Sequence, residues 1–203
     1  MIRLIIIFLF IFQSSIYSQS FEGLITYSIT HNYIDSSLKN KVMPSKLDFY
    51  ISGELARIDQ HTKIGIQTTI IDTLINKHIL LIQLMDKKFG IIINEENDTN
   101  ELEKITYTND QKLFQNIICN KAIINNNNST SVVYFTNEIN NAYNINFKKL
   151  KGFPLYYEII SPDFISSYEV SKITKQAVDP MLFEIDKNTS IYTMKDFQSL
   201  MSQ

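Results

Sequence analysis

The chain has 203 residues, of which 44% are hydrophobic, 12% aromatic and 20% charged, and its formal charge is -2. A chain of this size and composition can bury a core without a disulfide or a metal, so disordered, collagen-like and disulfide-stapled classes are excluded. The formal charge gives no electrostatic case for nucleic-acid binding, which needs a concentrated basic face that releases counterions, and we expect no nucleic-acid partner.

The N-terminal segment has the three parts of a secretory signal. Arg3 supplies the basic start, residues 4–12 are apolar, and Gln13-Ser14-Ser15 follow. This apolar run is much shorter than the ~20 residues that cross a bilayer, so we predict a signal peptide at residues 1–18 and no permanent transmembrane anchor. Cleavage after Ser15 or Ser20 stays open. We expect a periplasmic or outer-membrane-associated protein, with secretion as an alternative.

The mature chain, residues 19–203, opens with a predicted antiparallel meander. Apolar and polar residues alternate strictly between Phe21 and Ile29, which is typical of a half-buried strand. Ser52-Gly53 joins two further alternating runs and predicts a hairpin. Between the first two strands, a short helix could start near Asp35. The next predicted strands are residues 64–71, 78–84 and 89–93, and a solvated acidic loop follows at residues 95–103.

The second half repeats this chemistry until its last residues. Two apolar runs flank an Asn-rich tract that closes a hairpin, because Asn readily adopts left-handed turn conformations. Gly152 and Pro154 are predicted to break the chain before the strand at residues 155–160, and Pro162 before the strand at residues 165–174. Thr193 is predicted to cap a short amphipathic helix. We expect roughly ten strands and a few short helices to form one sheet system in a single domain.

The sequence signals neither a catalytic centre nor a metal site. His31, His61 and His78 lie far apart, without a second ligand at the spacing that a metal needs. The Glu95-Glu96 pair lies in a polar loop that cannot desolvate it for acid–base work. Cys119 is the single cysteine, and we expect it to be a small buried hydrophobe. We therefore predict a non-enzymatic protein without a cofactor or metal.

Two features stand out from this background. Arg57 is the only arginine of the mature chain, so a planar five-donor fork is of use at that position, or it forms an ordinary surface ion pair. The predicted strands are also rich in aromatic residues. These either fill the core or line a concave apolar face that admits an acyl chain or another apolar ligand.

Short pieces of the mature chain occur in a recognisable order. They include Phe21-Glu22-Gly23-Leu24-Ile25-Thr26-Tyr27, Ile51-Ser52-Gly53-Glu54-Leu55-Ala56-Arg57-Ile58 and Leu150-Lys151-Gly152-Phe153-Pro154-Leu155-Tyr156-Tyr157. In this order the chain resembles an exported family of unknown function from Gram-negative bacteria, related to the lipoprotein-carrier (LolA-like) half-barrel superfamily. The last piece is also similar to a neighbouring family marked by a Gly-Leu-Pro-Gly-Leu-Ile run.

The resemblance implies a mainly β fold with few helices (α+β), in which a single curved antiparallel sheet forms a half-barrel around short helices. In lipoprotein carriers the apolar interior receives acyl chains, so we expect a cell-envelope protein that binds a lipid, an acyl chain or a lipidated protein. The alternatives are a structural or protein-interaction module with a filled core, and a hydrolase. The oligomeric state stays open. The expected ligand-binding residues are Tyr27, Ile29, Phe49, Ile51, Arg57, Phe135, Tyr157 and Tyr168.

Overall fold

A computed structural model describes residues 21–34, 42–84, 87–93, 104–126 and 129–202. They form a twelve-stranded sheet. The strands are β1 (Gly23–Tyr33), β2 (Lys46–Ser52), β3 (Leu55–Thr62), β4 (Gly65–Asp72), β5 (Lys77–Leu84), β6 (Lys87–Ile93), β7 (Lys104–Phe114), β8 (Ile117–Asn126), β9 (Ser129–Thr136), β10 (Phe153–Ile160), β11 (Phe164–Lys175) and β12 (Ser190–Thr193). The predicted signal peptide, the short helix near Asp35 and the acidic loop lie outside the described residues.

The strand order across the sheet is β12-β6-β5-β4-β3-β2-β1-β11-β10-β9-β8-β7. Neighbouring strands are antiparallel except β12, which runs parallel to β6. The prediction of a mainly β chain in one mostly antiparallel sheet is therefore confirmed. Strand β12 was not predicted, because four residues are too few to show an alternating pattern.

The chain length between β6 and β7 requires the sheet to curve. These two strands are ten strand spacings apart in the sheet order, which is about 48 Å in a flat sheet. Ile93 ends β6 and Lys104 begins β7, eleven residues later, and an extended chain of that length spans at most about 40 Å. The sheet is therefore open but curved, and β6 and β7 are closer together than a flat sheet would place them.

One face of the sheet, here called the inner face, carries most of the core. Ile25, Phe49 and Ile58 are register neighbours on β1, β2 and β3, and all are buried. The irregular segment 137–152, which connects β9 to β10, adds Tyr143, Phe147 and further buried side chains to the same cluster. This segment covers the inner face.

The helices do not lie where the predicted fold places them. The sheet is expected to wrap around short helices, but the segment that covers its inner face is helical only over the 3₁₀ helix Asn141–Tyr143. The α-helix α1 (Met194–Met201) has no buried residue and packs at the sheet edge, where Phe197 meets Phe89 at 5.6 Å between ring centroids. The predicted cap is confirmed, because Thr193 Oγ1 accepts a hydrogen bond from the Asp196 backbone N–H at 3.2 Å.

Asparagine side chains hold segment 137–152 in its irregular conformation. Asn144 Oδ1 accepts from the backbone N–H groups of Asn146 and Phe147 at 3.1 Å each, and Asn144 Nδ2 donates to the Phe147 carbonyl at 2.8 Å. Asn141 Nδ2 donates to the Leu150 carbonyl at 2.7 Å. These bonds satisfy buried backbone groups that neither a helix nor a sheet pairs.

The chain break predicted at Pro154 does not occur, because β10 already begins at Phe153. The pairing of β10 with β9 shifts between Pro154 and Tyr156. This irregularity accommodates the missing proline N–H, which cannot take part in a regular ladder. The Pro154 carbonyl accepts a hydrogen bond from the Tyr27 hydroxyl at 2.7 Å, so the irregular position is tied to the centre of the sheet.

Candidate functional site

Four of the eight predicted ligand-binding residues surround one small cavity on the inner face. Tyr27, Phe49, Tyr157 and Tyr168 line it, and residues 144–146 of the covering segment close it. Its volume is about 60 Å³, whereas pockets for small-molecule ligands measure about 300–1,000 Å³. A cavity of this size holds a few water molecules and is much smaller than a pocket for an acyl chain.

The other four predicted residues lie elsewhere. Ile29, Ile51 and Phe135 are buried in the same core but do not line this cavity. Arg57 lies on the opposite face, here called the outer face, because successive strand residues point to opposite sides and its neighbours Ala56 and Ile58 point inward. The prediction that grouped Arg57 with the inner-face residues is therefore corrected: its side chain lies on the outer face.

The aromatic side chains around the cavity are packed against one another. The Tyr157 and Tyr168 rings stack at 4.5 Å between centroids, and Tyr27 meets Tyr157 edge-on at 6.1 Å. Burial raises the pKa of the Tyr27 and Tyr157 hydroxyls well above their ordinary value. These phenols therefore stay neutral at physiological pH, and Tyr27 acts as a hydrogen-bond donor within the core.

Arg57 uses its guanidinium to join three parts of the outer face. Its Nε donates to both carboxylate oxygens of Asp59 at 2.9 and 3.0 Å. Its Nη1 donates to the Leu182 carbonyl at 2.9 Å, and its Nη2 to Thr68 Oγ1 at 3.4 Å. A lysine ammonium lacks the geometry for all these contacts. The planar fork, one of the two roles considered for Arg57 from the sequence, holds the 3₁₀ helix Pro180–Phe183 against β3.

Two buried carboxylates face each other beside Arg57. Asp48 and Asp59 are register partners on β2 and β3, a placement that is unfavourable for like charges unless each is compensated. Asp48 accepts from Thr26, His61 and Lys46 at 2.7–2.9 Å. Burial alone would raise the pKa of the Asp48 carboxyl, but these three donors outweigh burial and lower it. Because each carboxylate has its own hydrogen-bond donors, the two negative charges are compensated. The donors lie on neighbouring strands, so this network links those strands.

A serine–histidine pair lies at the far end of β1. His31 Nε2 donates to the Pro44 carbonyl at 2.7 Å, and Nδ1 lies in hydrogen-bond contact with Ser166 Oγ at 2.8 Å. Ser166 is only 2% exposed, so a substrate cannot reach its hydroxyl. Cys119 is buried as predicted, and burial raises the pKa of its thiol to about 12, which keeps it protonated and unreactive.

Within the parts of the chain that the structure describes, no group of three or more His, Cys, Asp or Glu side chains is arranged to hold a metal ion. In the same residues, no helix has the length and apolar character needed to span a membrane.

A much larger open cleft lies at the end of β4 and β5. Its volume is about 670 Å³. Ile64 and Ile66 in its wall are 82% and 57% exposed, which is unusual for isoleucine. The sequence predicts a strand at residues 64–71 but does not reveal that Ile64 and Ile66 are exposed, because this apolar run resembles the runs that form buried strands. The open cleft is lined by Val42, Thr62, Ile64, Gly65, Ile66, Gln67, Leu81, Ile82 and Gln83.

Neither a family model nor a curated protein matches the chain. Among solved structures, it is similar to PNGF-II, with 11% identity and a TM-score of 0.58 over 89% of this chain and 33% of that chain. It is also similar to an uncharacterized conserved protein from Thermus thermophilus, with 9% identity and a TM-score of 0.53 over 87% of this chain and 92% of that one. The chain thus spans about a third of the length of PNGF-II. At these identities the similarities show a shared fold alone.

Proposed function

We propose that the protein is an exported, non-enzymatic module of the cell envelope that binds a protein partner through the open cleft. Its scaffold is a LolA-like half-barrel whose inner face is filled by its own segment 137–152. The contrast in size supports this proposal: the cavity among the predicted ligand-binding residues measures about 60 Å³, and the open cleft about 670 Å³. The volume of the open cleft is in the range of known small-molecule sites, and that of the inner cavity is not.

The chemistry of the open cleft favours a polypeptide over a lipid. Its wall combines exposed isoleucines with amide and hydroxyl groups such as those of Gln67 and Thr62, and none of the lining residues that the structure describes is charged. Amides and hydroxyls can pair with the peptide groups of an extended segment, which an acyl chain lacks. Complete burial of a residue such as Ile66 would contribute about 1.5–3 kcal/mol. We therefore propose an uncharged, apolar segment of a partner protein as the ligand.

Lipid binding on the inner face would carry a large cost. Segment 137–152 would have to leave, exposing Tyr143, Phe147 and Leu150, which are at most 8% exposed. At about 1.5–3 kcal/mol for each side chain, the loss is about 5–9 kcal/mol. This is comparable to the whole stability of a typical domain, about 5–15 kcal/mol. A lipid ligand would have to supply that free energy before any net binding.

Site-specific photo-crosslinking in cells of the natural host tests this proposal. A benzoylphenylalanine placed at Ile66 should capture a discrete protein, and the same group at Leu74 should not. Leu74 is a matched control because it is 78% exposed and lies just beyond the opposite end of β4. The captured protein, once purified, should bind the wild type and Leu74→Asp equally, and Ile66→Asp at least tenfold more weakly.

A fluorescent fatty-acid probe and native mass spectrometry of the purified protein provide the second measurement. We expect neither probe uptake nor co-purifying lipid. Stoichiometric lipid that persists in Ile66→Asp would contradict the proposal and support an inner-face ligand instead. Equal crosslinking at Ile66 and Leu74 would also contradict it.

A further inference from the structure

The outer face of β7, β9 and β10 carries a lysine ammonium surrounded by three aromatic rings. Lys112 Nζ lies 4.6 Å from the centroid of Phe114, 5.6 Å from that of Tyr156 and 5.9 Å from that of Tyr134. All three distances are within the ~6 Å over which the negative face of a ring attracts a cation. This cluster of four residues is here called the aromatic cation site.

The three rings form a rigid surface. Phe114 is 3% exposed and provides its floor, whereas Tyr134 and Tyr156 are half-buried. The ring centroids are 5.6–6.0 Å apart, so each ring contacts the other two. The Tyr156 hydroxyl donates to Glu158 Oε1 at 2.8 Å, which fixes the orientation of that ring. The site is therefore preorganised and does not depend on Lys112 to bring the rings together.

Lys112 and the nearby Lys121 differ in the partners of their ammonium groups. Lys121, the register partner of Tyr134, pairs with Asp110 Oδ2 at 2.9 Å. Lys112 Nζ has no carboxylate oxygen within 4 Å among residues 21–34, 42–84, 87–93, 104–126 and 129–202. The aromatic rings are thus its main electrostatic partners. Lys112 is exposed, so a better cation can reach the rings and displace its ammonium.

We propose that the aromatic cation site binds organic cations of the quaternary ammonium class, and that Lys112 occupies it in the free protein. A primary ammonium is strongly hydrated and loses much of that hydration on a ring surface. A quaternary ammonium is attracted to the same rings, and recognition of such groups by several aromatic side chains is a known use of this interaction. The site is separate from the open cleft, so this inference goes beyond the proposed function.

Titration with choline, followed by NMR of the Phe114, Tyr134 and Tyr156 ring resonances, tests the inference. In Lys112→Gln the competing ammonium is absent, and we expect choline to bind about two- to fivefold more tightly than to the wild type, the factor that corresponds to an exposed cation–π contact of about 0.5–1 kcal/mol. The uncharged isostere 3,3-dimethyl-1-butanol should produce no comparable shifts.

Two control variants separate this role from general effects of charge and structure. Lys121→Gln removes an equal charge from the same surface and should leave choline affinity within about 1.5-fold of the wild type, below the smallest effect expected for Lys112→Gln. Tyr134→Leu, combined with Lys112→Gln, should weaken choline binding while circular dichroism confirms the fold. The inference is overturned if choline and its isostere shift the rings equally, if Lys121→Gln has the effect of Lys112→Gln, or if choline leaves the rings of Lys112→Gln unchanged.

Discussion

The inner and outer faces of this sheet are each covered by an irregular segment, but different interactions hold the two segments. On the inner face, segment 137–152 adds aromatic and aliphatic side chains to the core, as in the edge-on contact between Phe147 and Tyr157 at 5.5 Å. On the outer face, residues 176–186 bury Val178 and Phe183, and a carbonyl of this segment accepts from Arg57. Segment 137–152 is therefore held mainly by apolar contacts, and residues 176–186 by a hydrogen bond from a charged guanidinium as well.

This difference has consequences for stability and for specificity. Apolar burial scales with area and does not depend on pH, whereas a buried ion pair contributes little net free energy but is costly to break. The inner face should therefore account for most of the stability. The outer face should fix which strands pair and where the covering segment docks. The following predictions test this division, from the largest expected effect to the smallest.

Truncation of the inner face should have the largest effect. Phe153 is 1% exposed and packs edge-on against Phe49 at 5.3 Å. We expect Phe153→Ala to lower the free energy of unfolding by about 3–5 kcal/mol, through lost burial and the cavity that remains. Urea denaturation measures this, with the exposed Leu74→Ala as the matched control, which should change stability by less than about 0.5 kcal/mol. A loss below about 1 kcal/mol for Phe153→Ala would remove the distinction between the faces.

Changes to the Arg57–Asp59 pair should have a smaller effect. Arg57→Lys keeps the charge but cannot reproduce the contacts to Asp59, Leu182 and Thr68. We expect a loss of about 1.5–3 kcal/mol, the range for hydrogen bonds to charged groups. In a double-mutant cycle with Asp59→Asn, the two changes should be non-additive by at least about 0.5 kcal/mol. Additive losses would show that the pair does not act as one unit.

The outer face should also be the acid-sensitive one. The pKa of Asp48 is lower in the folded protein than its ordinary value, so the folded state favours the ionised carboxylate. The stabilisation is complete above the unfolded pKa and is lost as the pH falls through the folded pKa, below about pH 4. Asp48→Asn should therefore flatten the acid limb of stability against pH relative to the wild type. Parallel curves for the two proteins would contradict this assignment.

The helix at the sheet edge should matter least. Thr193 caps α1, and the helix buries none of its residues. We expect Thr193→Ala to cost about 1 kcal/mol, with hydrogen exchange increasing in α1 and not in β1. Thr193→Ser keeps the capping oxygen and should restore protection. Equal loss of protection in both regions would show that the helix and the central sheet unfold together.

Strong local patterns allowed most of the sheet to be predicted. Alternation identified β1 and β2, and runs of β-branched residues identified β4 to β6. The Ser52-Gly53 turn appears with Gly53 at a φ of 57°, a conformation that glycine adopts readily. Gly23 is also explained by the structure, since a Cβ there would overlap the Thr174 carbonyl. It belongs to one of the short pieces on which the family resemblance was based.

The features that were missed depend on particular side-chain contacts that no periodic pattern reveals. Segment 137–152 has no periodic pattern, and its conformation comes from bonds such as that of Asn141 to Leu150. Asparagine content alone cannot indicate such bonds, because it is equally common in solvated turns. The composition did identify Arg57 as unusual, but its role follows from Leu182, 125 residues away. The size of the inner cavity likewise depends on how side chains from several strands meet.

The position of β1 determines when the middle of the molecule can be completed. This strand, near the start of the described chain, pairs with β2 and also with β11, so that Gly23 lies opposite Lys175. During synthesis the edge of β1 that pairs with β11 stays unpaired until about 150 further residues have been made. At about 5–20 residues per second this takes about 8–30 seconds. Until then the nascent chain presents a long strand edge that other polypeptides can pair with.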